Sequence, residues 1–149
     1  PPRSTLFPYT TLFRSSEGDK VTVDGSTLVW KAYQVVYPCW SFEPRVDNSL
    51  YLVVAYVIAD QDIPNVILSI GSDDASLWTV NGVEVIRVHD GRACEKDNDK
   101  SQPLTLKKGM NVIRATVING GGEAGASARF IDKNGNPVKN IKNVGVPVK

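Results

Sequence analysis

Histidine and cysteine are scarce in this chain of 149 residues, which contains 1 His and 2 Cys. A single imidazole and two distant thiols are a poor ligand set for zinc. The sequence also lacks the Gly-x-Ser-x-Gly nucleophile motif, and its run of three glycines at residues 120–122 links two predicted strands instead of opening a helix. These absences argue against a zinc enzyme, a serine esterase and a nucleotide-binding enzyme.

Long apolar runs and an excess of one charge are also missing. The longest apolar run, residues 50–59, is ten residues long, whereas a membrane-spanning helix needs about 20. The 17 Lys and Arg residues are balanced by 16 Asp and Glu residues, for a net charge of +1. We therefore expect neither a membrane nor a nucleic acid as partner.

The first 15 residues, PPRSTLFPYTTLFRS, match one reading frame of a common short-read sequencing adapter residue for residue. We interpret residues 1–15 as a translated artefact fused to a truncated metagenomic reading frame, and we expect them to be disordered. A natural Pro- and Thr-rich linker is the alternative. Residues 16–149 are then expected to form a single domain with a hydrophobic core, cut off from any upstream signal peptide or domain.

Short β-branched and aromatic runs, separated by Gly, Pro, Asn and Asp, predict an all-β fold without helices. The predicted strands cover residues 20–23, 26–36, 50–58, 65–71, 75–80, 83–88, 102–106, 110–118 and 126–131. A last edge strand at 141–146 is possible, with a linker as the alternative. This number and spacing of strands predicts an antiparallel β-sandwich of the jelly-roll type.

Two patterns predict details of the sheets. Asn81-Gly82 lies between two apolar runs and favours a type I′ turn, which would pair Val80 with Val83 and Trp78 with Val85 on the core face. The strand at 50–58 is apolar at every position, so a central place in its sheet is expected. Trp30 and Trp78 are expected in the core or on a sheet face.

Loops in an antiparallel sandwich fall alternately at its two ends, and the longer loops here fall together. They are residues 37–48, 72–74, 89–101 and 119–125. This end also receives Cys39 and Cys94, for which we predict a disulfide and hence a secreted, extracellular or periplasmic protein. Two unrelated buried thiols are the alternative.

Aromatic and charged side chains at this end suggest a binding site for a sugar. We expect Trp40 to serve as a platform for the apolar face of the sugar, while planar polar groups bind its hydroxyls. The candidate ligand-binding residues are Trp40, Asp73, Asp90, Arg92, Glu95 and Glu123. Trp40 could instead cap the core, Arg92 could pair with Glu95, and the sheet face around Trp30, Lys31 and Tyr33 could bind in place of the loops.

The segment from about Leu50 to Val138 resembles galactose-binding-like jelly rolls and PA14 domains. The resemblance rests on Ser72-Asp-Asp74, Trp78, the Asn81-Gly82 turn and the Leu-x-x-Gly-x-Asn pattern at residues 106–111. Ala75 stands where PA14-like sequences usually have glycine. The resemblance implies a β-sandwich that binds polysaccharide or oligosaccharide.

Calcium is the metal that suits the oxygen ligands of these loops. A PA14-like arrangement implies Asp73, Asp74 and Asn119 as ligands. Asp60 and Asp62, at the opposite end, could hold a structural ion instead. The alternative is that these Asp and Asn residues only form turns, a role that needs no metal.

Catalysis is the least favoured of the possible functions. Asp73 or Asp74 with Glu123 could form a glycosidase-type carboxylate pair, but one small sandwich offers little room for a cleft. We predict a noncatalytic carbohydrate-binding module, monomeric, once attached to the catalytic domain of a secreted polysaccharide-active enzyme that is missing from this chain. The alternative is a structural or protein-interaction spacer domain of a large extracellular protein.

Overall fold

A computed structural model describes residues 17–32 and 39–144 of the chain. The described part contains twelve strands: β1 (Lys20–Val23), β2 (Ser26–Val29), β3 (Trp40–Ser41), β4 (Ser49–Ala59), β5 (Ile63–Asp73), β6 (Ser76–Val80), β7 (Val83–Val88), β8 (Asp99–Lys100), β9 (Leu104–Leu106), β10 (Gly109–Asn119), β11 (Gly125–Ile131) and β12 (Ile141–Val144). No helix occurs in these two ranges, and none there could cross a membrane.

The strands form two five-stranded antiparallel sheets and a separate hairpin. One sheet has the order β12-β4-β10-β6-β7, and the other has β3-β11-β5-β8, with β9 also paired to β5. Strands β1 and β2 pair only with each other. The predicted all-β sandwich is confirmed, whereas the jelly-roll topology stays a prediction.

The core lies between the inner faces of the two sheets. Its most buried side chains include Leu68 and Ile70 from β5, Leu106 from β9 and Val117 from β10. Trp78 is 3% exposed and belongs to this core, as predicted. Trp30 is only half-buried and follows the isolated β1-β2 hairpin.

Strand β4 lies inside its sheet, between β12 and β10, as its apolar sequence predicts. The two faces of the strand differ, however. Val57 and Ala59 pack in the core, while Leu50 and Leu52 are 54% and 40% exposed on the outer face. The apolar sequence of β4 therefore predicts its central position in the sheet correctly, but it does not mean that both faces of the strand are buried.

Several predicted strand limits need correction. The strand predicted at 26–36 ends at Val29, and residues 33–36 lie outside the described part, as do 1–16 and 145–149. Strands β3 and β8 were not predicted, because each has two residues and shows no alternation of apolar and polar positions. Strand β9 is shorter than its predicted 102–106 range.

The Asn81-Gly82 hairpin forms, but its register differs from the predicted one beyond the first pairs. Asn81 and Gly82 have positive φ angles of 51° and 81°, as a type I′ turn requires. Val80 pairs with Val83, but a β-bulge then shifts the partner of Trp78 from Val85 to Ile86. The bulge turns Ile86 to the core, and Val83 is 64% exposed.

The Leu-x-x-Gly-x-Asn pattern builds the turn before β10. Asn111 is fully buried, and its Oδ1 accepts hydrogen bonds from Lys107 N and Asn81 Nδ2, both at 2.9 Å. Its Nδ2 donates to the carbonyl oxygens of Lys107 and Gly109. Gly109 has a φ of +90°, which favours glycine. This part of the resemblance therefore reflects the fold and lies at the end opposite the candidate site.

Candidate functional site

Four loops meet at one end of the sandwich, in the arrangement that the alternation of loops predicts. Cys39 and Cys94 are joined by a disulfide with an S–S distance of 2.30 Å, which links the segment before β3 to the loop after β7. Gly122 N donates to Asp47 at 3.0 Å, so the loops before β4 and after β10 are also in contact.

Asp74 holds two of these loops together. Its Oδ1 accepts a hydrogen bond from Arg92 N at 3.0 Å, and its Oδ2 accepts one from Gly120 N at 2.9 Å. The Asp73–Asp74 peptide bond is cis, and Ser72 Oγ donates to the Asp74 carbonyl oxygen at 2.8 Å. The Asp74 carboxylate thus joins the loops after β7 and β10 to the end of β5.

Asn119 is fully buried and links its own loop to the loop before β4. Its Nδ2 donates to Val46 O at 2.9 Å, and its Oδ1 accepts from Gly121 N at 3.1 Å. Both carboxylate oxygens of Asp74 likewise face backbone N–H groups. In this arrangement two of the three predicted calcium ligands present their oxygens to amide donors, which fits a structural role better than a metal site.

The alternative ion position near Asp62 has lysine partners. The Asp62 carboxylate accepts hydrogen bonds from Lys107 Nζ at 3.0 Å and from Lys108 N at 2.8 Å. These bonds, chiefly the one from Lys108 N, lower the pKa of Asp62. Within residues 17–32 and 39–144, no three His, Cys, Asp or Glu side chains converge in a way that could hold a metal.

A pocket of about 250 Å³ opens beside the disulfide. The residues that line it are Cys39, Trp40, Ser41, Asp73, Ala93, Cys94, Glu123, Ala124 and Gly125. Three of the six predicted ligand-binding residues, Trp40, Asp73 and Glu123, are therefore brought to one cavity.

Trp40 both borders the pocket and packs on the core. It is half-buried, and its ring meets Phe42 edge-on at a centroid distance of 4.9 Å. Phe42 in turn stacks on Tyr51 at 4.6 Å. A Cβ atom at Gly125 would lie 2.5 Å from Trp40 O, so glycine allows β3 and β11 to approach. Both predicted roles of Trp40, platform and cap, are compatible with this position.

Asp73 lies in a crowded, negatively charged environment. Burial raises the pKa of its carboxyl, and the neighbouring charges of Asp74 and Glu123 raise it further, against a lowering hydrogen bond from the Cys94 backbone. Glu123 is more exposed, and its Oε1 binds Arg45 Nη1 at 2.6 Å. The two pocket carboxylates therefore differ, since one has a cationic partner and the other has carboxylate neighbours.

The other three predicted ligand-binding residues do not line the pocket. Arg92 Nε donates to Ser72 O at 3.2 Å, and its Nη2 forms an ion pair with Asp99. It therefore pairs with Asp99 and not with Glu95. Asp90 and Glu95 are exposed. The backbone of Glu95 packs directly on Gly71, where any side chain would clash with the Glu95 carbonyl oxygen. We conclude that the side chain of Arg92 supports the loop.

Sequence reasoning missed the small residues that give the pocket its space. They are Ser41, Ala93, Ala124 and Gly125, together with the disulfide itself. In the sequence, the signal for such a cavity is that a residue with a short side chain directly follows both Trp40 and Glu123. Tyr33, one of the alternative sheet-face residues, lies outside the described residues.

Comparisons with known proteins give no relative for this chain. No protein-family model, curated protein or solved structure matches it. The pocket is therefore the feature of the molecule that points to a function.

Proposed function

We propose that this chain is a noncatalytic carbohydrate-binding module, an accessory domain of a secreted polysaccharide-active enzyme. The observation that carries the proposal is the pocket in which Trp40 lies beside Asp73 and Glu123. An aromatic ring next to carboxylates suits a sugar, whose C–H face packs on the ring while its hydroxyls donate to the acids.

The size of the pocket favours a single sugar unit. Its volume of about 250 Å³ is slightly below the roughly 300–1,000 Å³ of sites for drug-sized ligands. The pocket lies on the loop end and is open to solvent, so one unit of a longer chain can enter it. We infer that the module binds a chain end or one exposed residue of a polysaccharide.

Binding without turnover fits the carboxylates better than hydrolysis. A glycosidase needs a proton-donating acid and a second free carboxylate. The raised pKa of Asp73 suits the acid, but Arg45 occupies Glu123 Oε1. We therefore place Asp73 and Glu123 as partners of polar groups of the sugar.

The disulfide supports a secreted protein, because disulfides persist in oxidising compartments. The attachment to a catalytic domain comes from the resemblance, and we add to the proposal that the module is monomeric.

A structural spacer domain is the second candidate, and the packing of Trp40 on Phe42 favours it. In that case Trp40 would serve the core alone. Replacing it would then lower stability without removing any affinity for glycans.

Affinity electrophoresis of the full chain through neutral, amino-sugar and acidic polysaccharides tests the proposal. We expect one class of polymer to retard the protein, and Glu123→Gln to reduce the retardation. Trp30→Ala tests the alternative sheet-face site and is expected to have no effect. Uniform mobility across the panel would favour the spacer.

Repeating the electrophoresis with calcium and then with chelator tests the predicted ligands Asp73, Asp74 and Asn119. Calcium at or near the pocket would make retardation depend on the ion. Retardation that is equal in both buffers would leave Asp74 and Asn119 with the structural roles described above.

A further inference from the structure

The loop end that carries the pocket is acidic, although the whole chain is not. Residues 39–48, 72–75, 89–100 and 119–125 contain nine Asp and Glu residues and four Lys and Arg residues, whereas the net charge of the chain is +1. Arg129 of β11 adds a fifth cation to this end through its ion pair with Asp97, and the acids still outnumber the cations. A surface with this excess repels anionic polymers and attracts cationic ones. Electrostatics therefore limits which polysaccharides can approach.

The pocket itself shares this charge. Among the described residues that line it, Asp73 and Glu123 are ionisable acids and none is Lys, Arg or His. The two guanidinium groups nearby are engaged, because Arg45 binds Glu123 and Arg92 binds Asp99. The Asp73 carboxylate thus meets Asp74 and Glu123 as its charged neighbours.

We propose that the pocket selects sugar units that carry a protonated amine over neutral and acidic sugars, with Asp73 as the partner of the ammonium group. The proposal rests on the glycan-binding function proposed above and names its ligand class. A deacetylated amino-sugar polymer has this chemistry.

Each wall of the pocket contributes to the selection. An ammonium group beside Asp73 replaces repulsion between carboxylates with attraction. The ring of Trp40 also favours a cation or the C–H face of the sugar. An acetylated amine has no charge and gains only hydrogen bonds, and a uronic acid adds a further carboxylate to the cluster.

Isothermal titration of the full chain with four matched hexasaccharides tests the proposal. The probes are β-1,4-linked hexamers of glucosamine, N-acetylglucosamine, glucose and glucuronic acid. Titrations run at about pH 6 and again at about pH 7, because the pKa of Asp73 is raised above the usual carboxyl range, and each is run at two salt concentrations. We expect the glucosamine hexamer to bind at least tenfold more tightly than the others, and its affinity to fall with salt.

Two variants separate the pocket from general attraction to the acidic end. Asp73→Asn keeps the shape and removes the charge, so we expect it to abolish the preference for the amine. Asp60→Asn makes the same change at an exposed position of the opposite end and is expected to leave the preference intact. Circular dichroism of each variant checks that it folds.

Three results would overturn the proposal. Equal affinity for the glucosamine and N-acetylglucosamine hexamers would refute selection for the amine while the module itself stands. If Asp73→Asn and Asp60→Asn weaken the binding of the glucosamine hexamer equally, the preference for the amine comes from long-range electrostatic attraction and not from the pocket. Failure of all four hexamers to bind would count against both selection for the amine and the proposed function.

Discussion

At the scale of single residues, Asp74 shows how one carboxylate can hold two loops together. Its two oxygens accept hydrogen bonds from the backbones of different loops, at Arg92 and Gly120. We expect Asp74→Asn to lower the free energy of unfolding by about 1–3 kcal/mol, because the new NH₂ group must face one of these N–H donors. Urea unfolding measures the loss, and Asp60→Asn is the matched control. Equal stability of the two variants would contradict this role.

The charged carboxylate of Asp73, unlike that of Asp74, is expected to destabilise the folded protein at neutral pH. Its pKa is raised above 3.8 by burial and by Asp74 and Glu123, so its protonated form favours the folded state. This contribution is complete below pH 3.8 and is lost as the pH rises through the raised pKa of the folded protein. Replacing Asp73 with an uncharged residue therefore avoids this loss of stability at neutral pH.

Melting temperatures of Asp73→Asn and the wild type across a pH series test the direction of this pH dependence. We expect the variant to melt above the wild type at neutral pH by at most about 2–4 °C, the shift for 1 kcal/mol in a chain of this size. The difference should shrink as the pH falls toward 3.8. A variant that is less stable at every pH would contradict the crowding of the carboxylates.

Residue types and loop positions predicted part of the candidate site. Trp40, Asp73 and Glu123 lie in the loops that the alternation of strands brings together, and all three line the pocket. Arg92 lies in the same loops but turns to Ser72 and Asp99. Loop position does not determine which way a long side chain points, so the sequence could not separate these two outcomes.

At the scale of elements, alternation predicted most strands, and local irregularities accounted for the errors. The Val80–Val83 pairing followed from the turn, but the bulge at Val85 depends on how β7 packs against the core. An extra residue in one strand changes the face of every residue beyond it. The two-residue strands β3 and β8 form through pairing with distant strands, which the local sequence does not reveal.

The turn before β10 provides a prediction at this scale. Asn111 is buried, and its NH₂ group donates to the carbonyl oxygens of Lys107 and Gly109. Asn111→Asp would place a carboxylate oxygen against those carbonyls, so we expect a loss of about 3 kcal/mol or more in unfolding free energy. The exposed substitution Asn134→Asp serves as the control.

The proposed binding of glycans tests whether the turn before β10 acts independently of the pocket. Because Asn111 lies at the end opposite the pocket, any folded fraction of Asn111→Asp should keep the affinity of the wild type. Titration at a temperature well below the melting point of the variant measures this. A specific loss of affinity in fully folded protein would show that the two ends are coupled.

At the scale of the whole molecule, the Cys39–Cys94 disulfide links two loops 55 residues apart in sequence, and both cysteines line the pocket. Closing a loop of this length stabilises the fold by about 4 kcal/mol in the chain-entropy estimate. We expect reductant to lower the melting temperature by roughly 10 °C, given about 2–4 °C per kcal/mol for a chain of this size. The β signal in circular dichroism should persist below that temperature, because the sheets pair without the disulfide.

The double variant Cys39→Ser with Cys94→Ser isolates this effect from other actions of the reductant. It should melt where the reduced wild type melts and should not respond to reductant. Its affinity for glycans should fall, because the loop after β7 loses its covalent link to the segment that carries Trp40. Thiol titration of the unfolded, unreduced wild type is expected to find no free thiol. Two free thiols per chain would remove both the stabilising link and the argument for an oxidising compartment.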